Sequence, residues 1–391
     1  MSRALVVGAG AIGVATARVL RGRGFEVTLV ERGSAPHPDA ASTDLSKLVR
    51  GDYGVDAFYT DLMERALEGF RERNRRWCRA GGRALFHETG FLVLSSVPFA
   101  SGGFENDSFS ALLARGYPLE RLDAARIAQR FPVLAPGRFV DGYVNPAAGW
   151  AESGAVVAAE LDDARAEGIH IVANFSFAGL VERAGRVTGV RSHGGAAIEA
   201  DVVVLAAGTW LPKLLPELAD RIRSTGHPVM VFQPSHVAPL RVPSFLPWAA
   251  DIGRTGWYGF PANADGLVKV ANHGAGHARD PDAPRSFPAG EEPRFRAFLR
   301  GAVPSLADAK VALERLCFYA DSFDGDFLIA RHPERPGLVV ATGDSGHAFK
   351  FMPVLGELVA DAVEARPNPV LERFRWRKLG DVRAEQARCR E

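Results

Sequence analysis

The chain opens with an apolar run at residues 4–7, a glycine-rich turn at 8–13, apolar positions at helical spacing over 12–23, and a second β-type run at 26–30. A continuous short apolar run predicts a buried strand and a recurrence every three to four residues predicts a helix, so this stretch is a βαβ unit. Residues 56–76 carry Leu62, Ala66, Leu67 and Phe70 at helical spacing among many charges, then break at Gly81-Gly82 before a strand at 90–94. A helix and strand follow over 155–171, and the apolar run 201–207 stops at Gly208, the pattern of a return to a parallel sheet. From 227 to 320 the pattern predicts short strands separated by Pro, Gly, Asn and Asp, with Trp257, Tyr258 and Phe260 clustered and a strand at 267–271. The end of the chain predicts a strand at 337–341, a turn at 343–346 and a helix at 354–363.

At 391 residues the chain exceeds what one hydrophobic core ordinarily serves, so two domains are expected. The fold class is mixed α/β. A discontinuous Rossmann-like nucleotide domain is expected from residues 1–80, 145–225 and 321–391, with an antiparallel-sheet substrate domain from 81–144 and 226–320. Composition is that of a well-packed globular protein, 47% hydrophobic and 24% charged. The 47 basic and 46 acidic side chains nearly cancel, which leaves no basic field for nucleic acid or an anionic membrane and points to a small-molecule partner. Residues 1–20 lack the basic start and cleavage site of a signal peptide, and no segment offers about 18 uninterrupted apolar residues. Cys78, Cys317 and Cys389 are far apart and odd in number, which fits neither a disulfide framework nor a zinc site; no metal and a reducing, cytoplasmic setting are expected.

Gly8-Ala9-Gly10-Ala11-Ile12-Gly13 follows a predicted strand and opens a predicted helix, the context a dinucleotide fingerprint requires. Gly8 allows the tight turn, Gly10 the approach of backbone to pyrophosphate, and Gly13 close helix–strand packing, while the helix N-terminus supplies free N–H groups. Glu31, at the end of the second strand, is placed to accept the ribose hydroxyls. An NAD site has the same local pattern.

The fingerprint at the N-terminus, the run Val202-Val203-Val204-Leu205-Ala206-Ala207-Gly208-Thr209-Trp210 and the run Val339-Val340-Ala341-Thr342-Gly343 together resemble the FAD-dependent D-amino acid oxidase superfamily. The nearest likeness is to monomeric sarcosine oxidase and the N-methyltryptophan, pipecolate and fructosyl amino acid oxidases. It implies FAD as the cofactor, a monomer, and cofactor contacts from Gly8, Gly10, Ala11, Ile12, Gly13, Glu31 and Arg32 in the first unit and from Ala207, Gly208 and Trp210 in the second.

Four further segments carry that resemblance. Ser42-Thr43-Asp44-Leu45-Ser46-Lys47-Leu48-Val49-Arg50-Gly51-Asp52-Tyr53-Gly54 resembles the segment over the flavin ring; it implies cofactor contacts from Ser42, Thr43 and Lys47 and makes Arg50 the match for a substrate-carboxylate arginine. A guanidinium suits that task because its planar fork donates two parallel hydrogen bonds. At Lys47 the sequence departs from sarcosine oxidase and is closer to the fructosyl amino acid and pipecolate oxidases. Trp257-Tyr258-Gly259-Phe260-Pro261 and Gly266-Leu267-Val268-Lys269-Val270-Ala271-Asn272-His273 resemble the strand pair on the reactive side of the flavin, with Lys269 the oxygen-activating lysine and Tyr258 and His273 nearby. Alternation with Val268 and Val270 equally allows Lys269 an outward, solvated position. Leu316-Cys317-Phe318-Tyr319 followed by Asp324-Gly325-Asp326-Phe327-Leu328-Ile329 resembles the site where relatives attach FAD through a cysteinyl thioether, with Arg315 available to lower the thiol's pKa and Tyr319 to line the pocket; alone, Cys317 reads as a buried core residue. Gly343-Asp344-Ser345-Gly346-His347-Ala348-Phe349-Lys350 resembles the turn that wraps the flavin, implying contacts from Asp344, Gly346, His347 and Phe349 and making Lys350 a second carboxylate ligand.

The implied reaction is oxidation of a secondary amine or N-substituted amino acid: hydride transfer to the flavin, imine hydrolysis, and reduction of O2 to hydrogen peroxide. A dehydrogenase using another acceptor, a nicotinamide enzyme and a non-catalytic flavoprotein are the competing readings. The loops at 86–90 and 243–257 are expected to set side-chain specificity.

Overall fold

A computed structural model describes residues 1–380 of the chain; Cys389 and the last part of the expected nucleotide domain lie outside the described residues. Strand Arg3–Val7 sits inside a six-stranded sheet, between Glu26–Val30 on one side and Val202–Leu205 on the other. Leu338–Thr342 and His170–Val172 extend the parallel part, and Leu328–Arg331 closes one edge antiparallel. The continuous apolar runs are explained by burial on both faces. Ala4 and Val6 pack with the helices Ala11–Gly22, Ser153–Ala166 and Met352–Glu364, whereas Leu5 and Val7 pack with Val187 and Val190 of a small antiparallel sheet.

A second, nine-stranded sheet carries Phe91–Ser95, Trp248–Ala250, Trp257–Gly259 and Val268–Asn272 in its middle. The expectation of short strands over 227–320 is corrected here. Ile222–Gln233 and Lys310–Ser322 are strands of 12 and 13 residues, paired antiparallel from Ile222↔Ser322 to Gln233↔Lys310. Gly226 and Pro228 read as breakers, yet Gly226 is required by the pairing itself: a Cβ there would lie 2.6 Å from the Leu316 side chain across the ladder. The helix Glu291–Ala302, unanticipated from the pattern, buries Phe295 and Leu299 against this sheet's outer core.

Helices Ala11–Gly22 and Met352–Glu364 cross in close contact because Gly356 has no side chain; a Cβ there would lie 2.5 Å from the Ala15 carbonyl oxygen. Substituting Gly356→Val should destabilise the protein by about 1–3 kcal/mol through overpacking, read as a lower urea midpoint with unchanged slope. An unaltered midpoint would show that the two helices can separate freely.

Candidate active site

The glycine turn does what its motif requires. Gly8 has φ +104°, and a Cβ there would lie 2.6 Å from the Ala206 carbonyl oxygen, while one on Gly13 would lie 1.8 Å from the Gly8 carbonyl oxygen. Gly13 is therefore a packing residue beneath the turn rather than a wall of the site. The turn opens into a cavity of about 600 Å³ lined by Gly8, Gly10, Ala11, Ile12, Glu31 and Arg32, then by Ser42 and Lys47, then by Ala207, Gly208 and Trp210, and finally by Asp344, Gly346 and Phe349. Ser42 Oγ accepts from the Ala11 N–H at 3.2 Å, which ties the second segment to the helix N-terminus. The Glu31 carboxylate is anchored by the Ala9 and Arg32 N–H groups, both at 2.8 Å, and keeps its outer face on the cavity. Thr43 is outside the wall, and its buried Oγ1 has no hydrogen-bond partner. A glycine cradle, a helix N-terminus, an acid at the second strand's end and this volume fit FAD.

Sequence reasoning missed the mouth of this cavity. Asp282 reaches it from an irregular segment and accepts from Arg32 Nη1 at 2.8 Å, Trp210 Nε1 at 2.8 Å and Lys213 Nζ at 2.6 Å. A charged residue between prolines carries no periodicity, so no signal marked it.

A smaller cavity, about 70 Å³, adjoins the first, and Lys47, Tyr319, Gly346 and Phe349 line both. Its own walls include Arg50, Lys350, Tyr258, His273 and His347, so the structure brings together residues from four separate sequence segments. The 243–257 loop contributes Ala249 and Ile252; the 86–90 segment contributes no wall residue, contrary to expectation, because Phe86–His87 pairs with Gly149–Ala151 instead. Arg50 is 6% exposed, donates to the Asp52 main-chain carbonyl, and lies 5.6 Å from the Tyr53 ring, 5.8 Å from Phe91 and 5.5 Å from Phe104. The Asp52 carboxylate is taken by Tyr143 Oη at 2.6 Å and Asn145 Nδ2 at 3.1 Å. Among the described residues Arg50 has no carboxylate partner. Lys350 Nζ sits 4.8 Å from the Tyr53 ring, whose hydroxyl is 3.0 Å from His347 Nδ1.

Two expected site residues are placed differently. Lys269 is 3% exposed, which excludes the outward, solvated position, but it is not in the described wall of either cavity. Its ammonium lies behind Ser46 and Lys47, donating to Asp44 Oδ2 at 2.5 Å and the Ser46 carbonyl at 2.6 Å. Burial lowers its pKa to about 8, partly offset by Asp44, while the three cations Lys269, Lys47 and Arg315 outweigh burial and hold the Asp44 carboxyl well below the usual range. Cys317 is 1% exposed and packs with Val229, Ala271, Tyr319, Ala41 and Tyr258, its Sγ 4.0 Å from the Ala41 carbonyl; Ala41 lines the large cavity. The Arg315 guanidinium donates to the Pro38, Ala40 and Thr43 carbonyls, and Arg285 and Lys269 are also in electrostatic contact with Cys317.

Among the described residues no cluster of His, Cys, Asp and Glu is arranged to hold a metal, and no helix is long and apolar enough to cross a membrane. A large cavity at the glycine turn, adjoining a small cation-lined chamber, fits a dinucleotide-dependent enzyme. The chain belongs to the DAO family of FAD dependent oxidoreductases, whose profile matches residues 3–362. It is 31% identical to monomeric sarcosine oxidase of Streptomyces avermitilis over 372 residues, covering 91% of this chain and 92% of that one. N-methyl-L-tryptophan oxidase of Salmonella heidelberg is 27% identical, with 95% and 97% covered. The fructosyl amine:oxygen oxidoreductase Amadoriase I of Aspergillus fumigatus superposes with a TM-score of 0.82 at 25% identity, covering all of this chain and 93% of that one.

Asp344 supplies a pH test of this site. Burial, with Asp321 nearby, raises its pKa to about 6, although the Gly346 and Ala320 N–H groups donate to it at 2.9 and 3.2 Å. A carboxyl with a folded-state pKa above its unfolded value contributes stability that is fully present below about pH 4 and lost as pH rises through about 6. Between pH 4.5 and 7.5 this group should cost the apoprotein about 2 kcal/mol, so Asp344→Asn should gain that much relative to wild type over the interval. Parallel urea curves at the two pH values would refute a raised Asp344.

Proposed function

We propose that the chain oxidises a small N-substituted amino acid, with FAD as hydride acceptor and O2 as the final acceptor, releasing hydrogen peroxide. The observation that carries this is Arg50, a buried guanidinium facing the chamber beside the dinucleotide cavity with no carboxylate of its own. A buried unpaired cation is costly, and a substrate carboxylate relieves that cost with two charge-assisted hydrogen bonds. FAD, when bound, supplies the acceptor for a hydride equivalent from the carbon beside the amine nitrogen.

The protein's residues supply the rest. Arg50 and Lys350 hold the carboxylate and thereby fix the position of the α-carbon. The described chamber wall contains no Asp or Glu, so nothing there pairs with an ammonium; together with three nearby cations this favours the neutral amine, whose lone pair the reaction needs. Tyr258, Tyr319, Ala249 and Ile252 exclude water from the reacting carbon. A chamber of about 70 Å³ favours a substrate of N-methylglycine size over one with an indole-sized side chain. That agrees with the 31% identity to an oxidase named for sarcosine. The position of Cys317 against Ala41, a wall residue of the large cavity, with Arg285 and Lys269 as nearby cations, supports a thioether link from this cysteine to FAD.

Arg50→Ala should slow anaerobic flavin reduction by N-methylglycine, measured as kred/Kd, by at least about thirtyfold, the cost of losing one member of a buried charge pair. An unchanged rate removes the carboxylate role. Acid precipitation of the holoenzyme should leave the yellow colour in the pellet, and Cys317→Ser should move it to the supernatant; colour that remains in the pellet of that variant means the link is elsewhere.

A further inference from the structure

Asp44 lines neither described cavity, yet its carboxylate is 4% exposed and contacts the Lys269 ammonium at 2.5 Å. It is fixed from three directions. Its main-chain oxygen accepts from Ser153 Oγ at 3.0 Å and from the Gly154 N–H at 2.9 Å, and its Oδ1 accepts from the Leu45 N–H at 2.7 Å. The helix Ser153–Ala166 therefore anchors the residue that grips a lysine of the other sheet.

The Lys269 ammonium has three N–H bonds. Two are used, on Asp44 and on the Ser46 carbonyl, and the Phe260 ring lies 5.0 Å away. We propose that Asp44 is a positioning residue for oxygen reduction, keeping Lys269 both protonated and aimed so that its remaining N–H serves the side of Ser46 and Lys47. This rests on the assignment of Lys269 to oxygen activation. In that step reduced FAD delivers two electrons and two protons to O2, giving H2O2 and oxidised FAD. The first electron makes oxygen an anion, which a nearby ammonium stabilises and a neutral amine does not.

The cations around the pair favour an ionised Asp44. Lys47 lies 3.6 Å from the same Asp44 oxygen, and Arg315 also acts on Asp44. Facing Lys269 are Lys47, which opposes its charge, and Cys317, which favours it only as a thiolate; Tyr258 and Phe260 add no charge. Asp44 is thus the carboxylate that offsets burial of Lys269. Its removal should lower the lysine's pKa further below about 8.

Stopped-flow reoxidation of substrate-reduced holoenzyme by O2, followed from pH 6 to pH 8, tests this with Asp44→Asn and Lys269→Met. The asparagine keeps the Leu45 N–H bond, and anaerobic reduction by substrate reports whether the site is intact. With the ammonium population setting the rate, Asp44→Asn should reoxidise about fiftyfold slower than wild type at pH 8 but only about twofold slower at pH 6, with anaerobic reduction within about twofold of wild type. Lys269→Met should be slow by about a hundredfold with no recovery at low pH. A wild-type profile in Asp44→Asn, or a slowing equal at all pH values, overturns the role of Asp44 while leaving Lys269 in place. Wild-type reoxidation by Lys269→Met removes the lysine assignment itself.

Discussion

The register between strands Ile222–Gln233 and Lys310–Ser322 is the constraint on which both cores and the site depend. Ile222 and Ala320, at one end of the ladder, are buried with the strands of the six-stranded sheet, whereas Met230 and Phe232 are buried with the other sheet's outer core. One pair of long strands therefore passes through two hydrophobic clusters. Directly opposed residues share a face, so Thr225↔Tyr319 and His227↔Cys317 set the cysteine, the tyrosine and the histidine on one surface, with His227 stacked 3.9 Å from Tyr319. A slip of one residue would turn Cys317 and Tyr319 to the opposite face and put Phe318 in their place. Gly226, against Leu316 and Phe318, is where such a slip would meet steric resistance.

On that surface and the segment above it, four cations are placed near one another in a water-poor region: Lys47, Arg50, Lys269 and Lys350. Their environments are graded. Lys269 has a buried carboxylate, Lys47 shares that carboxylate at longer range, and Arg50 has a main-chain carbonyl and three aromatic rings. Ring faces and a carbonyl attract a guanidinium without neutralising it, so Arg50 keeps its electrostatic demand for an anion. Asp44 cannot meet that demand because it is bound to Lys269, and Asp52 cannot because Tyr143 and Asn145 hold it. The acids closest in sequence to Arg50 are thus turned elsewhere.

The nucleotide end was the most legible part of the chain, for a physical reason. A turn that admits backbone to pyrophosphate must use glycine at fixed spacing, and Gly8 and Gly13 are each explained by a main-chain contact a Cβ would violate. The parallel strands were legible because burial on both faces leaves continuous apolar runs such as 202–205. The long ladder was not, since Gly226 and Pro228 signal breaks locally and are overruled by a partner almost a hundred residues away. Candidate site residues were found through motif likeness, which located Arg50, Lys350 and Tyr258 on one chamber. That likeness carries no depth information: it did not reveal that Lys269 stands behind the wall, that Arg315 serves the carbonyls of 38–43, or that Asp282 lines the large cavity.

The placement of Lys269 behind the wall gives a reason for the chamber to separate its two tasks. Lys47 already stands in the wall, but its charge faces Asp44 at 3.6 Å; a further cation there without a carboxylate would compete with Arg50 and Lys350 for the substrate carboxylate and allow the substrate to bind in a wrong orientation. Setting the ammonium one layer back, neutralised toward the segment 44–46 and screened by Phe260, weakens its hold on a carboxylate, which needs direct hydrogen bonds, far more than its effect on a small diffusing molecule such as O2. On the proposed assignment of Lys269 to oxygen, the ion pair with Asp44 keeps that chemistry one layer behind the wall of the substrate chamber. The cost is that the lysine's charge depends on a single carboxylate, anchored by the first turn of the helix Ser153–Ala166.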